Sequence, residues 1–122
     1  MLSILAPSKT MNFHTPMPYE IAGHVPLFAR DAEVIVGTIK ELSKVDLIRI
    51  MNVSPAIADR VLKMYAVWED KRKPALWAYA GDAYKGVRAY SLDRDGAIWA
   101  QNHMVSMSGL YGIVRPFDLI AE

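Results

Sequence analysis

Two helix-start signals with a stop signal between them lie between residues 43 and 55, and they constrain the fold more than any other feature of this sequence. Ser43, with an aspartate three residues later, has the spacing of a capping box and predicts the start of a helix. Asn52 tolerates the left-handed conformation that ends many helices, and Ser54 followed by Pro55 is a second start signal. The sequence therefore predicts two helices joined by a hairpin of two or three residues over 47–62.

An apolar stripe precedes this pair of helices. Apolar residues step by four, three, four and three positions over 27–42, which predicts an amphipathic helix. The residues that should face inward are Phe28, Ala32, Ile35, Ile39 and Leu42. Gly37 lies within this helix and predicts a place where a neighbouring element packs closely. The helix that begins at Pro55 is predicted to continue to about Trp68.

Short apolar runs predict two strands. Residues 2–6 and 75–80 are largely apolar on both faces, which is typical of buried strands. Asp82 is expected to cap a short helix after the second strand, and a last helix is expected to continue to about Met107. The stretch 108–116 then holds two glycines and an Arg-Pro pair, which indicate a helix cap, a short strand and a turn.

Composition excludes several classes of function. The chain has 122 residues, enough for one domain with a core, and 52% hydrophobic residues argue against disorder. A net charge of +1 provides no global field toward nucleic acid or anionic membrane. The absence of cysteine excludes disulfides, thiolate catalysis and cysteine-ligated zinc, and the three histidines are scattered. We therefore expect no metal, no cofactor and no membrane partner, and a soluble, cytoplasmic protein.

Polar side chains at strand ends and glycine turns are the candidates for a binding cleft. The candidate cleft and anion-binding residues are Lys9, Thr10, Asp82, Tyr84, Tyr111 and Arg115. They come from three separated segments, and their convergence in one cleft would indicate an active site. A lysine can clamp an anion, an aspartate or tyrosine can transfer a proton, and an arginine can bind phosphate. In the alternative interpretation these residues have no binding role: Lys9 lies in a solvent-exposed turn, and Asp82 only caps a helix.

The predicted hairpin resembles a helix–hairpin–helix DNA-binding motif, with Asn52 and Ser54 in the places of its two glycines. In such a motif the free N–H groups at a helix N-terminus donate hydrogen bonds to a phosphate. Ser54 would consume one of these donors by capping its own helix. The candidate DNA contacts are Asn52, Val53, Ser54, Arg60 and Lys63, with further cations at 71–73 and opposing carboxylates at Asp59, Glu69 and Asp70. A plain αα-hairpin is the alternative.

Three stretches together resemble those of one protein family. Residues 5–11 are similar to its Ser-Pro-Ala/Ser-Lys-Thr opening, and residues 81–87 to its Gly-Asp-x-Tyr-x-Gly-Leu stretch. Residues 108–119 are similar to its Ser-Gly-Leu-Tyr-Gly-x-Leu-Arg-Pro-x-Asp-Leu block. On these motifs the chain resembles the YaaA family of bacterial peroxide-stress proteins, although Ala6 replaces a serine that the family often has. The resemblance implies a mixed α/β (α+β) fold, with a small sheet, packed helices that include a helix–hairpin–helix, and a basic cleft.

The resemblance also implies a function. It implies a cytosolic protein that binds double-stranded DNA non-specifically through the hairpin and helps limit oxidative DNA damage and free iron. Family members continue well past the Asp-Leu pair at 118–119, so the resemblance covers the N-terminal half of the family. We expect a single domain over 1–122, equivalent to part of a YaaA-type domain, in a truncated or naturally short protein. An exposed sheet edge should then be buried by self-association.

Two other functions are open at this point. One is an enzyme that acts on a nucleotide or a nucleic-acid base in a cleft formed by Lys9, Asp82, Tyr84 and Arg115. The sequence names no reaction, so we do not predict catalysis. The other is a structural or partner-binding protein without chemistry, in which these residues only stabilise the fold.

Overall fold

Six α-helices and two small sheets make up the described part of the chain. The structure is a computed structural model, and it describes residues 1–68 and 71–122. The helices are α1 (Ala29–Glu41), α2 (Lys44–Met51), α3 (Pro55–Ala66), α4 (Ala75–Ala78), α5 (Asp82–Val87) and α6 (Arg94–His103). The strands are β1 (Ser3–Leu5), β2 (Lys73–Pro74), β3 (Met104–Ser108), β4 (Gly112–Val114) and β5 (Leu119–Ile120). The predicted mixed α/β class is confirmed.

The larger sheet has the strand order β1-β3-β4, and the smaller one pairs β2 with β5. In the larger sheet β1 runs parallel to β3, with Ile4 opposite Val105, and β4 runs antiparallel to β3, with Ile113 opposite Met107. Because side chains alternate across a strand, these four residues share one face, whereas Ser106 is buried on the other. Ile4, Met107 and Ile113 are 66%, 46% and 37% exposed. This sheet therefore presents an apolar face to solvent.

Polar caps define the ends of α2 and α3 where the sequence predicted them. The Ser43 hydroxyl accepts the Asp46 N–H, and the Asp46 carboxylate accepts the Ser43 N–H, which completes the capping box. Hydrogen bonding from Ser43 also holds the pKa of Asp46 below its usual value. Asn52 has a φ of 51° at the end of α2, and the Ser54 hydroxyl accepts the N–H of Ile57 at the start of α3. Local signals alone therefore determine this pair of helices.

The inward face of α1 differs from the predicted stripe. Ala32 and Val36 are buried, whereas Phe28 and Ile35 are 44% and 41% exposed. The Phe28 ring lies against Gly112, the first residue of β4. The prediction of close packing at Gly37 is wrong, because no other element of the described structure lies within 4 Å of the place that a Cβ would occupy.

Two segments adopt the opposite secondary structure from the one predicted. Residues 75–78 form α4 rather than a strand, although the segment is buried as expected. Residues 104–108 form β3 rather than the end of a helix, because pairing with β1 and β4 supplies their hydrogen bonds. Asp82 does not cap α5 but is its first residue, and Gly81 holds the N-cap position.

Aromatic residues dominate two clusters of the core. Trp77 is fully buried in one of them, where it stacks on Phe117 at a centroid distance of 6.2 Å. Its indole N–H donates to the Ala89 carbonyl at 3.1 Å. The other cluster includes Tyr79 and Tyr111 and joins residues of α1 with the end of the chain. The second cluster forms one side of the cavity described below.

The two glycines of the β3–β4 turn allow a matched test of backbone strain. Gly112 has a φ of +67°, and an added Cβ would lie 3.0 Å from the Phe28 ring, so a side chain is disfavoured there. We expect Gly112→Ala to lower the free energy of unfolding, measured in urea, by about 1–2 kcal/mol. At Gly109 no atom lies within 4 Å of an added Cβ, and φ is not positive. Gly109→Ala should therefore cost less than about 0.5 kcal/mol, and equal losses in the two variants would contradict this account.

Candidate nucleic-acid interface and adjacent cavity

Asn52, Val53 and Ser54 join α2 to α3, and few backbone donors remain free at the start of α3. Pro55 has no N–H group, and the Ile57 N–H donates to the Ser54 hydroxyl at 3.3 Å. The N–H groups of Val53, Ser54 and Ala56 have no acceptor among residues 1–68 and 71–122. Three donors at a helix N-terminus can hold one anion.

Exposed cations lie on α3 close to this hairpin. Arg60 and Lys63 are exposed, and neither forms an ion pair within the described residues. Asp59, which the sequence places among the opposing carboxylates, is instead paired with Lys44 at 2.6 Å. The other two opposing carboxylates, at positions 69 and 70, lie outside the described residues. Helix α3 therefore presents two cations to solvent, Arg60 near its middle and Lys63 in its last turn.

The cations at 71–73 differ from one another in their surroundings. Lys71 is exposed. Arg72 lies over the Trp68 ring at 4.4 Å and donates to the Tyr111 hydroxyl at 3.0 Å. Lys73 is only 5% exposed, and its ammonium group donates to two backbone carbonyls and the Tyr90 hydroxyl. Lys73 is therefore a buried structural contact and is not available to bind DNA.

The loop that carries Lys9 and Thr10 packs against the turn at Gly81. The Ala80 N–H donates to the Thr10 carbonyl at 2.9 Å, and the Ser8 hydroxyl donates to the same carbonyl at 2.8 Å. A Cβ added to Gly81 would collide with the Ser8 side chain, so glycine permits this close approach. The first two motif segments are therefore neighbours, although their polar side chains point to different surroundings.

Asp82 and Tyr84 do not line the same cavity as Lys9. Asp82 is exposed and paired with Lys85 at 2.7 Å, and the hydrogen bond from Lys85 lowers the pKa of the carboxyl. Tyr84 is buried, and its hydroxyl contacts the Ser106 hydroxyl and donates to a backbone carbonyl of the first loop. Burial raises the pKa of the Tyr84 phenol. Tyr84 is thus a brace between the sheet and the first loop.

A cavity of about 500 Å³ lies between the first loop, the α2–α3 pair and the last residues of the chain. Residues that line it include Lys9, Met51, Tyr65, Tyr79, Tyr111 and Ile120. Burial raises the pKa of Tyr79 to about 12 and raises the pKa values of Tyr65 and Tyr111 as well. The three phenols are therefore neutral at physiological pH and can act as hydrogen-bond donors and stacking surfaces.

Arg115 lies in a different environment from this cavity. Its guanidinium donates to the Asp118 carboxylate at 2.8 and 3.0 Å and to the Val25 carbonyl at 3.1 Å. Asp118 is fully buried and also accepts the backbone N–H of Arg115. Of the four residues of the alternative enzyme cleft, only Lys9 lines this cavity, so the four side chains do not share it.

Comparison with known proteins agrees with the motifs in the sequence. The model of a family described as peroxide stress protein YaaA matches residues 1–122. This chain belongs to the YaaA family. UPF0246 proteins of Paracidovorax citrulli and Bordetella petrii are each 37% identical to it, over 97% and 98% of this chain and 48% of either relative. A UPF0246 protein of Francisella tularensis subsp. novicida is 32% identical over 98% of this chain and 49% of that relative. The chain thus spans about half the length of these curated relatives.

Residues 1–68 and 71–122 contain no group of three or more histidine, aspartate or glutamate side chains that could hold a metal ion. In the same part of this YaaA-family chain, no helix has the length and apolar character needed to cross a membrane.

Sequence reasoning missed several residues that line the cavity of this YaaA-family chain. Met51, Tyr65 and Tyr79 line it, yet none of the three is among the site residues that the sequence predicted. Tyr79 ends a buried apolar run next to Gly81, and a phenol in that position could have indicated a site at the end of a core element. Nothing in the local sequence could have placed Met51 and Tyr65 beside the first loop, because that contact is made only by the fold.

Arg115 allows a test of whether the Arg-Pro motif binds an anion or holds the fold together. We expect Arg115→Ala to lower the free energy of unfolding by about 3 kcal/mol, because it leaves the buried Asp118 carboxylate without its ion pair. Thermal and urea unfolding measure this loss. Arg30 is exposed and forms no hydrogen bond within the described residues, so Arg30→Ala is the control for loss of one positive charge. A fully stable Arg115→Ala protein would show that the ion pair contributes little.

Proposed function

We propose that this YaaA-family chain acts in the peroxide-stress response by binding double-stranded DNA without sequence preference through the α2–α3 hairpin. The observation that carries the proposal is the set of unbonded N–H groups at Val53, Ser54 and Ala56 beside the exposed Arg60 and Lys63. Family membership supplies the link to peroxide stress. In this proposal the protein works in the cytoplasm and helps limit oxidative DNA damage and free iron.

The proposed contacts reach phosphates rather than bases. A phosphate at the start of α3 would accept hydrogen bonds from the backbone and gain from the positive end of the helix dipole. Arg60 and Lys63 lie further along the same helix and would neutralise neighbouring phosphates. Since phosphates repeat along every duplex, such contacts give affinity without reading the sequence.

Ser54 provides the sharpest test of this interface. Aspartate caps helices as well as serine does, so Ser54→Asp should keep α3 folded while placing a negative charge where the phosphate would lie. We expect this variant to lose at least tenfold in affinity for a duplex at low salt, measured by fluorescence anisotropy. Ser54→Asn is the matched control, because asparagine also caps helices but adds no charge.

A salt titration in the same experiment separates the contribution of the cations to DNA affinity from that of the backbone donors. The slope of log affinity against log salt should fall by about two in the double variant Arg60→Ala/Lys63→Ala. The double variant Lys40→Ala/Lys85→Ala removes two positive charges from other elements and should leave the slope unchanged. No duplex binding by the unaltered protein at low salt would falsify the proposed function, as would Ser54→Asp binding like Ser54→Asn.

We also propose that a second copy of this chain covers its exposed sheet. In the described residues β1 and β4 are edge strands, whose unpaired backbone groups can pair with another strand. Ile4 lies on β1 and is 66% exposed. Self-association would bury both the edge and the apolar face.

Ile4→Lys tests this assembly. Sedimentation at high protein concentration should show dimers or larger species of the unaltered chain and monomers of Ile4→Lys, because a charge on the edge strand opposes strand pairing. Val34 is 70% exposed on α1, away from the sheet, so Val34→Lys controls for added charge on an apolar surface. A clean monomer of the unaltered chain at every concentration would contradict the proposal.

A further inference from the structure

The cavity has aromatic walls and a cation. Tyr65, Tyr79 and Tyr111 contribute to its lining, and so does Lys9, whose ammonium group has no acceptor among the described residues. Glu122 also lines the cavity, so the negative part of a ligand is expected beside Lys9 and away from that carboxylate. Tyr111 is held rigidly, since its hydroxyl accepts hydrogen bonds from Arg72 and from a backbone N–H, both at 3.0 Å. Rigid aromatic surfaces with one nearby cation favour a ligand that combines a flat ring with a negative charge.

The cavity also adjoins the proposed DNA interface. Met51 lines the cavity and directly precedes Asn52, the first residue of the hairpin. Val61 and Tyr65 line it from the same helix whose N-terminus carries the free backbone donors. A strand with a phosphate on the hairpin therefore has this cavity beside it, on the same pair of helices.

The size and chemistry of the cavity fit a nucleobase. Its volume of about 500 Å³ lies within the range of small-molecule sites, which is roughly 300–1,000 Å³. Every base has a π-face that can stack on a tyrosine ring, and its phosphate can approach a lysine. An aliphatic ligand could fill the same volume and bury apolar surface, but it would neither stack on the rings nor form an ion pair with Lys9.

We propose that this cavity receives an unstacked nucleobase, with a phosphate of the same strand near Lys9. This inference rests on the proposed DNA binding when the base belongs to a strand, while a free nucleotide offers the same chemistry from a second source. A paired base must first be unpaired and unstacked, whereas an unpaired base is already available. The protein should therefore prefer duplexes that carry an extra, unpaired base.

The test compares two duplexes of equal length and charge, one fully paired and one with a single unpaired adenine, by fluorescence anisotropy. Stacking of one base on an aromatic side chain corresponds to about 5- to 150-fold in affinity. We expect the unaltered protein to bind the duplex with the unpaired adenine about tenfold more tightly. Adenosine monophosphate is titrated separately, with isothermal titration calorimetry as the readout, to detect binding of a free nucleotide.

Two cavity variants decide whether the base lies in the cavity. Tyr65→Leu removes one ring and keeps the position apolar, and Gly109→Phe adds a ring where no atom lies within 4 Å of a new Cβ. Circular dichroism and thermal unfolding establish that each variant is folded. In a folded variant the preference for the unpaired adenine should fall to less than threefold, with the fully paired duplex as the internal reference.

The possible outcomes separate this inference from the proposed function. Equal affinity of the unaltered protein for both duplexes would overturn the inference and leave duplex binding intact. An unpaired base also makes DNA easier to bend, so a preference that persists in both folded variants would equally overturn it. If no duplex binds at all, the proposed function fails. Binding of adenosine monophosphate that is lost in both variants would then support the cavity as a nucleotide site. If the unaltered protein does not bind adenosine monophosphate either, the inference is overturned.

Discussion

One buried carboxylate holds the C-terminal part of this fold together. Asp118 is fully buried and accepts hydrogen bonds from the backbone N–H and the guanidinium of Arg115, which closes the turn between β4 and β5. A buried carboxylate without such partners is costly, so this turn has one stable arrangement. Backbone carbonyls of the same turn accept hydrogen bonds from the N–H groups of Ala75 and Leu76. The N–H of Leu119, the next residue along the chain, donates to the His24 carbonyl. Two distant segments, at His24 and at Ala75–Leu76, are thereby tied to a turn that a single ion pair holds.

The cavity depends on this turn. The turn leads directly into β5, and Ile120 and Ala121 at its end line the cavity. The Ala121 N–H donates to the Tyr111 hydroxyl, which Arg72 also contacts, and the Tyr111 ring stacks on Trp68 at 6.0 Å. The Arg-Pro motif thus helps to form the cavity by positioning one of its walls, although Arg115 does not line it.

Sequence predicted the parts of this molecule that local chemistry decides. Ser43, Asn52 and Ser54 predicted both ends of the hairpin correctly, because a cap is formed by a side chain and the backbone a few residues away. Residues 75–80 and 104–108 were predicted wrongly, since a short apolar run fits either a helix or a strand until its partners are known. The role of Arg115 was not predictable either, because its side chain also donates to Val25, 90 residues away in sequence. The cavity brings together residues near both termini, which only the tertiary structure can do.

The residue that caps α3 determines how many backbone donors the proposed phosphate site keeps. Glycine in place of Ser54 would leave the Ile57 N–H free for a phosphate, whereas the serine hydroxyl occupies it. The helix gains stability from this cap and loses one donor for an anion. An interface with fewer backbone donors must obtain more of its affinity from exposed cations, which salt screens, and from any contact that salt does not screen. A stacked base is such a contact. Serine in place of glycine at position 54 weakens the hairpin as a general phosphate site, and it thereby increases the share of binding that an unpaired base can supply.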